Sequence, residues 1–252
     1  MKSMTFNILC AGRGENHWVF RQKLVRDIIK KYAPDTFGLQ EVHYAWMRYL
    51  INQFKDTYDF VGVGKDDGNK KGEFSPVFYN KYKFELLDKE DFWLSETPEK
   101  PSLGWDGAEN RTCSYAVLKE KETENVYAVF NTHLDHIGTT AQIEGIKLIL
   151  KKAEKFNDMP IIITGDFNVT PDSDVYKMML SNGFSDARTI AKEKDNIDSF
   201  HWYGKGSKMI DFIFVKNIKS VAVVKTATDK INGKLPSDHY PVIAEIDWLN
   251  IK

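Results

Sequence analysis

An excess of charge of either sign is what this sequence most lacks. Its 35 Lys and Arg are matched by 36 Asp and Glu, a formal net charge of −1. The global basic surplus that draws a protein non-specifically onto nucleic-acid phosphates is therefore missing, so any polyanion must meet a local patch or the substrate is small. Cysteine is scarce as well. Cys10 and Cys113 each lie in an apolar stretch without metal-ligand spacing, and both are expected to be buried thiols acting as small hydrophobes. Long apolar runs are also wanting. No segment approaches the ~18 residues of a membrane span, and no apolar leader precedes Thr5-Phe6-Asn7-Ile8-Leu9, so a cytoplasmic protein without membrane contact is expected. There is no internal repeat, no low-complexity tract and no Pro/Gly/Ser linker. Residues 1–252 are read as a single domain.

What is present is an alternation of strands with amphipathic helices. Strands are predicted at Met4–Leu9, Thr36–Gln40, Tyr58–Val63, Ser75–Tyr79, Lys83–Leu94, Cys113–Lys119, Val126–Thr132, Pro160–Thr164, Ile210–Val215, Ser220–Thr226 and Val242–Asp247. Helices are predicted at Trp18–Tyr32, Val42–Phe54, Thr139–Phe156 and Asp174–Ser181. The first carries Leu24, Val25, Ile28, Ile29 and Tyr32 on one face and stops before Pro34. Some strands adjoin closely enough for hairpins and others are joined by helices, which argues for a pair of mixed sheets with helices outside. The stretches 65–72 and 96–107 read as long surface loops, and Lys65, Lys70 and Lys71 as a solvated charge run.

Polar residues gather at the predicted strand ends, where loops can converge on one pocket. Asn7 and Glu41 end two short apolar strands, and Glu41 offers the hard oxygen that Mg²⁺ or Mn²⁺ prefers. Gly165-Asp166-Phe167-Asn168 follows the apolar run Ile161-Ile162-Ile163. Asp166 could accept a proton from water and the Asn168 amide could donate to a phosphoryl oxygen, although an Asx turn would use the same residues. His133, Asp135 and His136 close a further strand, where a lone His can also be a structural hydrogen-bonder. Asp211 is an acid embedded in an apolar strand. Burying it unpaired is costly, so it needs a cation or a histidine, and His239 is the obvious partner. Asp238-His239 then places one ligand beside one acid/base. Trp105 and the run Phe200-His201-Trp202-Tyr203 sit in polar, Gly-containing stretches, where they could stack a base or a sugar or pack beneath a loop.

The ordered set Asn7, Glu41, Asn131-Thr132-His133, Gly165-Asp166-Phe167-Asn168, Ile210-Asp211 and Ser237-Asp238-His239 resembles the endonuclease/exonuclease/phosphatase superfamily. The likeness runs from about residue 4 to residue 247. Glu73-Phe74-Ser75-Pro76, Phe92–Pro98 and Arg111-Thr112-Cys113 resemble its deadenylase-like bacterial branch. The resemblance implies a four-layer α/β sandwich, two packed mixed β-sheets flanked by helices, with the site across their upper edge. It also implies roles. Glu41 would be the principal metal ligand, with Asn7 beside it and Asp238 at or near the metal. Asp166 would orient or deprotonate water, and Asn168 would hold the phosphoryl oxygen. Asp211 would orient His239 on the phosphate, with His133 a second phosphate contact. Glu73 falls where the deoxyribonucleases keep a Glu that pairs with such a His, and Arg111 would clamp phosphate. Two departures stand out: the duplex-gripping loops of apurinic endonucleases and the membrane-associating stretch of sphingomyelinases have no counterpart here.

The expected activity is a divalent-metal-dependent phosphoesterase working with Mg²⁺ or Mn²⁺. A phosphodiesterase on single-stranded nucleic acid or a nucleotide comes first. A phosphomonoesterase on a nucleotide, inositol or sugar phosphate is the alternative, and a binding protein that kept the fold and lost catalysis is the remote one. A monomer is expected.

Overall fold

A computed structural model describes residues 1–248. Eleven main strands are β1 (Lys2–Asn7), β2 (Thr36–Gln40), β3 (Tyr58–Val61), β4 (Val77–Asn80), β5 (Phe84–Trp93), β6 (Thr112–Glu120), β7 (Val126–His133), β8 (Ile161–Asp166), β9 (Asp211–Lys216), β10 (Ile218–Thr226) and β11 (Val242–Trp248). The principal helices are α1 (Trp18–Tyr32), α2 (Tyr44–Phe54), α3 (Thr139–Ala153) and α4 (Asp174–Ser181). One sheet runs β10-β11-β1-β2-β4-β3, and the other β9-β8-β7-β6-β5, with two-residue strands added at the β10 and β9 edges.

Alternation along the strands builds four layers. In β1, Met4 and Phe6 face α1 and α2 and pack with Val25, Ile29, Trp46 and Leu50. In β8, Ile161 and Ile163 face α3 and α4 and meet Ile146, Ile149 and Met179. The intervening residue Ile162 points the other way and joins Val129, Ile213, Val242 and Ala244 between the sheets. The order is therefore helix, sheet, sheet, helix, with mixed pairing in both sheets. α1 begins and ends where its periodicity predicts, and Ala33 in a left-handed conformation ahead of Pro34 closes it. Some differences lie at ends: Val42-His43 is a short strand and not helix, and β8 continues through Gly165 to Asp166. The short elements Ser185–Asp186, Ala187–Ile190 and Glu193–Lys194, by contrast, were not expected from the sequence.

Near the site the sheet-to-sheet contact turns polar. Asn131 of β7, fully buried, accepts from Gln40 Nε2 at 2.7 Å and from Thr164 Oγ1 at 3.0 Å, and donates to the carbonyls of Leu39 and Pro76. It thus brackets the two sheets directly below the strand ends. This bracket needs Gly38: a Cβ there would lie 2.2 Å from Asn131 Oδ1 and 2.4 Å from Thr164 Oγ1. Gly38→Ala is expected to cost at least about 3 kcal/mol, the upper part of the overpacking range, which lowers Tm by roughly 6–12 °C for a chain of this size. A melt within about 2 °C of wild type would mean that the two sheets can separate freely here.

Candidate active site

Strand register lines the catalytic groups up. At the end of one sheet Asn7 pairs across to Gln40, immediately before Glu41. At the end of the other, His133 pairs with Asp166 and Asp166 with Asp211, so three titratable groups stand in a row across β7, β8 and β9. The row faces the Ser237-Asp238-His239 loop, and the two sheet ends form the sides of a cavity of about 470 Å³. Of the residues expected in the site, Glu41, Glu73, Arg111, His133, Asp166, Asn168, Asp238 and His239 line this cavity.

His239 Nδ1 donates to Asp211 Oδ2 at 2.8 Å, and both side chains are buried. That contact orients the ring and leaves Nε2 facing Asp166 Oδ2 at 3.8 Å. Burial alone would lower the imidazole pKa. The carboxylates of Asp211, Asp166 and Asp238 outweigh it and raise His239 to about 10. Asp166 goes the opposite way from an ordinary carboxyl: burial, then the charge of Asp211, raise it to about 7. It is held by Asn7 Nδ2 on Oδ2 and by the Asn168 amide on Oδ1, each at 2.9 Å. His133 Nε2 lies 3.6 Å from the same carboxylate. Burial, with Arg111 and Lys65 nearby, keeps its pKa well below the usual value, so it is neutral at pH 7. Asp211 Oδ1 is buried without a partner among the described residues. Asn168, at φ 52, spends one amide donor on the Leu134 carbonyl.

The opposite corner is acidic. Glu41 has a left-handed backbone (φ 61), and its two oxygens accept from Asn7 Nδ2 and the Cys10 amide, each at 2.9 Å. Asn7 Oδ1 is already taken by the Leu9 amide. The amide nitrogen of Asn7 therefore faces Glu41 and Asp166, and in this state Asn7 orients two carboxylates instead of presenting an oxygen. Glu41 and Asp238 supply carboxylate oxygens to one cavity, a donor set that fits a hard divalent cation. Cys10 departs from expectation. Only Cys113 is fully buried; Cys10 is half-exposed and lines the cavity beside Glu41 and Glu73.

The far wall carries Arg111, whose Nη2 contacts His136 Nδ1 at 2.9 Å and whose Nε lies 3.5 Å from Asp135. Glu73 pairs with Lys65 at 2.8 Å, and Lys65 also reaches Glu109 at 2.5 Å. Lys65 was expected on a solvated loop. It is 8% exposed instead, because two carboxylates draw it inward. Trp105, His201 and Trp202 are not among the lining residues. His201 stacks on Tyr240, and its backbone N–H and that of Trp202 donate to the Asp238 carbonyl, while Trp202 is more than half exposed. Phe200 alone of that run faces the cavity, against His239 with ring centroids 4.8 Å apart.

Sequence reasoning missed Arg21. It is 1% exposed and donates to four carbonyls, those of Ile8, Leu9, Asn16 and Pro236, at 2.5 to 2.9 Å. It ties the loop after β1 to the segment before Asp238, one strut beneath both halves of the acidic corner. Its only sequence signal was a cation on the face of α1 that also carries Val25 and Ile28.

A buried imidazole–carboxylate pair beside a carboxylate-lined cavity suits acid–base hydrolysis. The chain belongs to the Endonuclease/Exonuclease/phosphatase family, whose model matches residues 4–239. A family protein of that description from Bacteroides vulgatus superposes with a TM-score of 0.93 at 34% identity, covering 98% of each chain. The mannosyl-6-phosphatase of Bacteroides thetaiotaomicron is 31% identical over 98% of this chain and 100% of its own, with a TM-score of 0.90. Human 2',5'-phosphodiesterase 12 is 22% identical over 91% of this chain, which spans 46% of that protein's length. Members of the family hydrolyse phosphoesters. Among the described residues no helix is long and apolar enough to cross a membrane.

Proposed function

We propose that this protein is a divalent-metal-dependent phosphomonoesterase acting on a phosphorylated sugar. The observation that carries the reading is the chemistry of the wall opposite the His239–Asp166 row. Glu73, Glu109, Arg111 and His136 line that wall with carboxylate oxygens and nitrogen groups suited to vicinal hydroxyls, and Lys65 pairs with both carboxylates. A polynucleotide would bring its next phosphate toward Glu73 and Glu109, with Lys65 already spent on both, and like charges there raise the cost of binding. The full-length likeness to a mannosyl-6-phosphatase points the same way. The lower likeness to a 2',5'-phosphodiesterase keeps diester cleavage as the outcome that would displace this reading.

In this reading Arg111 and protonated His239 Nε2 hold the phosphoryl oxygens. Asp166 takes one proton of the water that attacks phosphorus, the P–O bond to the sugar breaks in line, and the departing sugar oxygen takes up a proton from solvent, giving free sugar and inorganic phosphate. A cation held by Glu41 and Asp238 would supply Lewis-acid stabilisation of the phosphoryl charge. The test, with Mg²⁺ or Mn²⁺, follows inorganic phosphate from hexose phosphates and p-nitrophenyl phosphate, p-nitrophenol from bis(p-nitrophenyl) phosphate, and shortening of single-stranded oligonucleotides, in parallel. Hexose phosphates should give the highest kcat/KM. Oligonucleotide shortening at a higher kcat/KM would overturn the reading.

The pH profile follows from the same residues. Asp166 works only when ionised, so activity should rise through a limb at or below about 7, since a bound cation can only lower that value. His239 works only when protonated, so activity should fall near pH 10. Asp211→Asn removes the main charge holding that proton and should pull the alkaline limb down toward the ordinary imidazole range, about 6.5. An alkaline limb unmoved in Asp211→Asn would assign it to another group.

A further inference from the structure

A second groove, about 480 Å³, adjoins the catalytic cavity and shares Glu73 and Glu109 with it. Its remaining lining comes from the segment 65–72, from Leu103 in the segment 96–107, both of which the sequence presents as surface loops, and from Ala108 and Asn110 just beyond. The two sides are nevertheless pinned. The Lys65 carbonyl accepts from buried Trp93 Nε1 at 2.6 Å, and Asp67 Oδ1 gathers the amides of Asn69, Lys70 and Lys71 at 2.8 to 2.9 Å. Across the groove the amides of Ala108 and Glu109 both donate to buried Asp135. Loops fixed in this way form a preorganised wall, and preorganisation is what lowers the entropic cost of holding a ligand.

The groove's chemistry is specific. Asp66 and Asn110 present hydrogen-bonding groups, and their side chains are 3.4 Å apart. Leu103, 53% exposed, supplies an apolar surface beside them. Three carboxylates, Asp66, Glu73 and Glu109, face a single ammonium, Lys65. An apolar patch rimmed by hydroxyl partners matches a pyranose ring, which has one C–H face and an equatorial belt of hydroxyls. The negative balance disfavours an anionic extension such as a second phosphate.

We propose that this groove is a subsite for a second, neutral hexose glycosidically joined to the phosphorylated one, so that the preferred substrate is an oligosaccharide with a terminal phosphosugar. This rests on the sugar-phosphatase reading above. In the test, phosphate release is measured from mannose 6-phosphate and from α-linked mannose disaccharides carrying the phosphate on C6 of the non-reducing unit. Wild type should favour at least one disaccharide by about tenfold in kcat/KM, what one or two neutral hydrogen bonds contribute. Asp66→Ala, Asn110→Ala and Leu103→Ala should each erode that preference through KM while leaving mannose 6-phosphate turnover unchanged. Asp67, which shapes the loop, stays intact in all three. Equal kcat/KM for monosaccharide and every disaccharide in wild type, or equal losses on both in the variants, would overturn the subsite while the phosphatase reading stands. Absence of phosphate release from all of these sugars would overturn both together.

Discussion

Asp166→Asn should lower kcat by about 10²–10⁴, the usual cost of losing a general base, and His239→Ala by about 10²–10³, the cost of losing a donor to the developing oxyanion charge, yet His239→Ala should melt clearly the lower of the two. Asp166 and Asp211 face each other across a strand pair with both side chains buried. Ionising both in that setting is unfavourable, which is why the Asp166 pKa is raised. The neutral amide of Asn removes the repulsion; it accepts from one of the two donors now on Asp166 and sets its NH₂ against the other. Asp166→Asn should therefore melt closer to wild type than His239→Ala does, in metal-free buffer at pH 7. His239→Ala strips Asp211 Oδ2 of its 2.8 Å partner when Oδ1 already has none. Breaking a buried pair from one side costs about 3–5 kcal/mol, so this variant should melt clearly lower. Calorimetry in EDTA beside steady-state kinetics separates the two effects. A kcat reduction below about tenfold in Asp166→Asn would remove it from the proton path, whatever the melts show.

The linkage has a sign that can be checked without substrate. The folded pKa of His239 lies above its unfolded value, so its contribution is fully present below about 6.5 and is lost as pH rises through about 10. Asp166 is also raised, from 3.8 to about 7. Its contribution is present below its unfolded value and fades as pH climbs through that window. Without metal the protein should therefore lose stability from mildly acidic to alkaline pH.

The parts of this molecule legible in the sequence were those where one residue type in one local context has few alternatives. Asp211 was one: an acid amid Ile210, Phe212 and Ile213 has to be paired, and it is paired to His239. The presence of β1 and β8 was legible for the same reason, as short apolar runs, whereas which side faces the helices is shown only by the packing. Relations set only by tertiary packing were not legible. Lys65, in a run with Lys70 and Lys71, looks solvated, and nothing local shows that Glu73 and the distant Glu109 converge on it. Cys10 sits in an apolar stretch, but the turn after β1 aims it at the cavity. Arg21 satisfies carbonyls from both ends of the chain, and backbone acceptors carry no sequence signature. Trp105 and Trp202 were drawn toward the substrate by their polar, Gly-containing surroundings. Those surroundings indicate exposure, and exposure is not the same as facing the pocket.

Chelation is expected to abolish turnover, Mg²⁺ or Mn²⁺ to restore it, and Glu41→Gln to raise the half-activating metal concentration by at least about 10- to 100-fold, the loss typical of groups that merely support a metal ligand. The strain at Glu41 is the reason to expect so large an effect. A non-glycine residue held at φ 61 costs free energy, and such a conformation persists only where the surroundings over-determine it. Here they do: Asn7 Nδ2 fixes one oxygen and the Cys10 amide the other, with Arg21 holding the same turn from beneath. The carboxylate is thus preset at the cavity edge, facing Asp238, before any cation arrives. Glutamine keeps the shape but loses the charge and one acceptor, and the two donors now at Glu41 would meet one amide oxygen and one NH₂. Asn7→Ala tests the preset directly. It leaves the Glu41 carboxylate in place and removes its orienting donor, so metal affinity should fall by about 10- to 100-fold without loss of charge. Mn²⁺ binding followed by paramagnetic resonance or calorimetry reads both variants independently of turnover. Undiminished Mn²⁺ affinity in Glu41→Gln would move the cation to other ligands in the cavity, and undiminished affinity in Asn7→Ala alone would mean that the Cys10 amide suffices to hold the carboxylate.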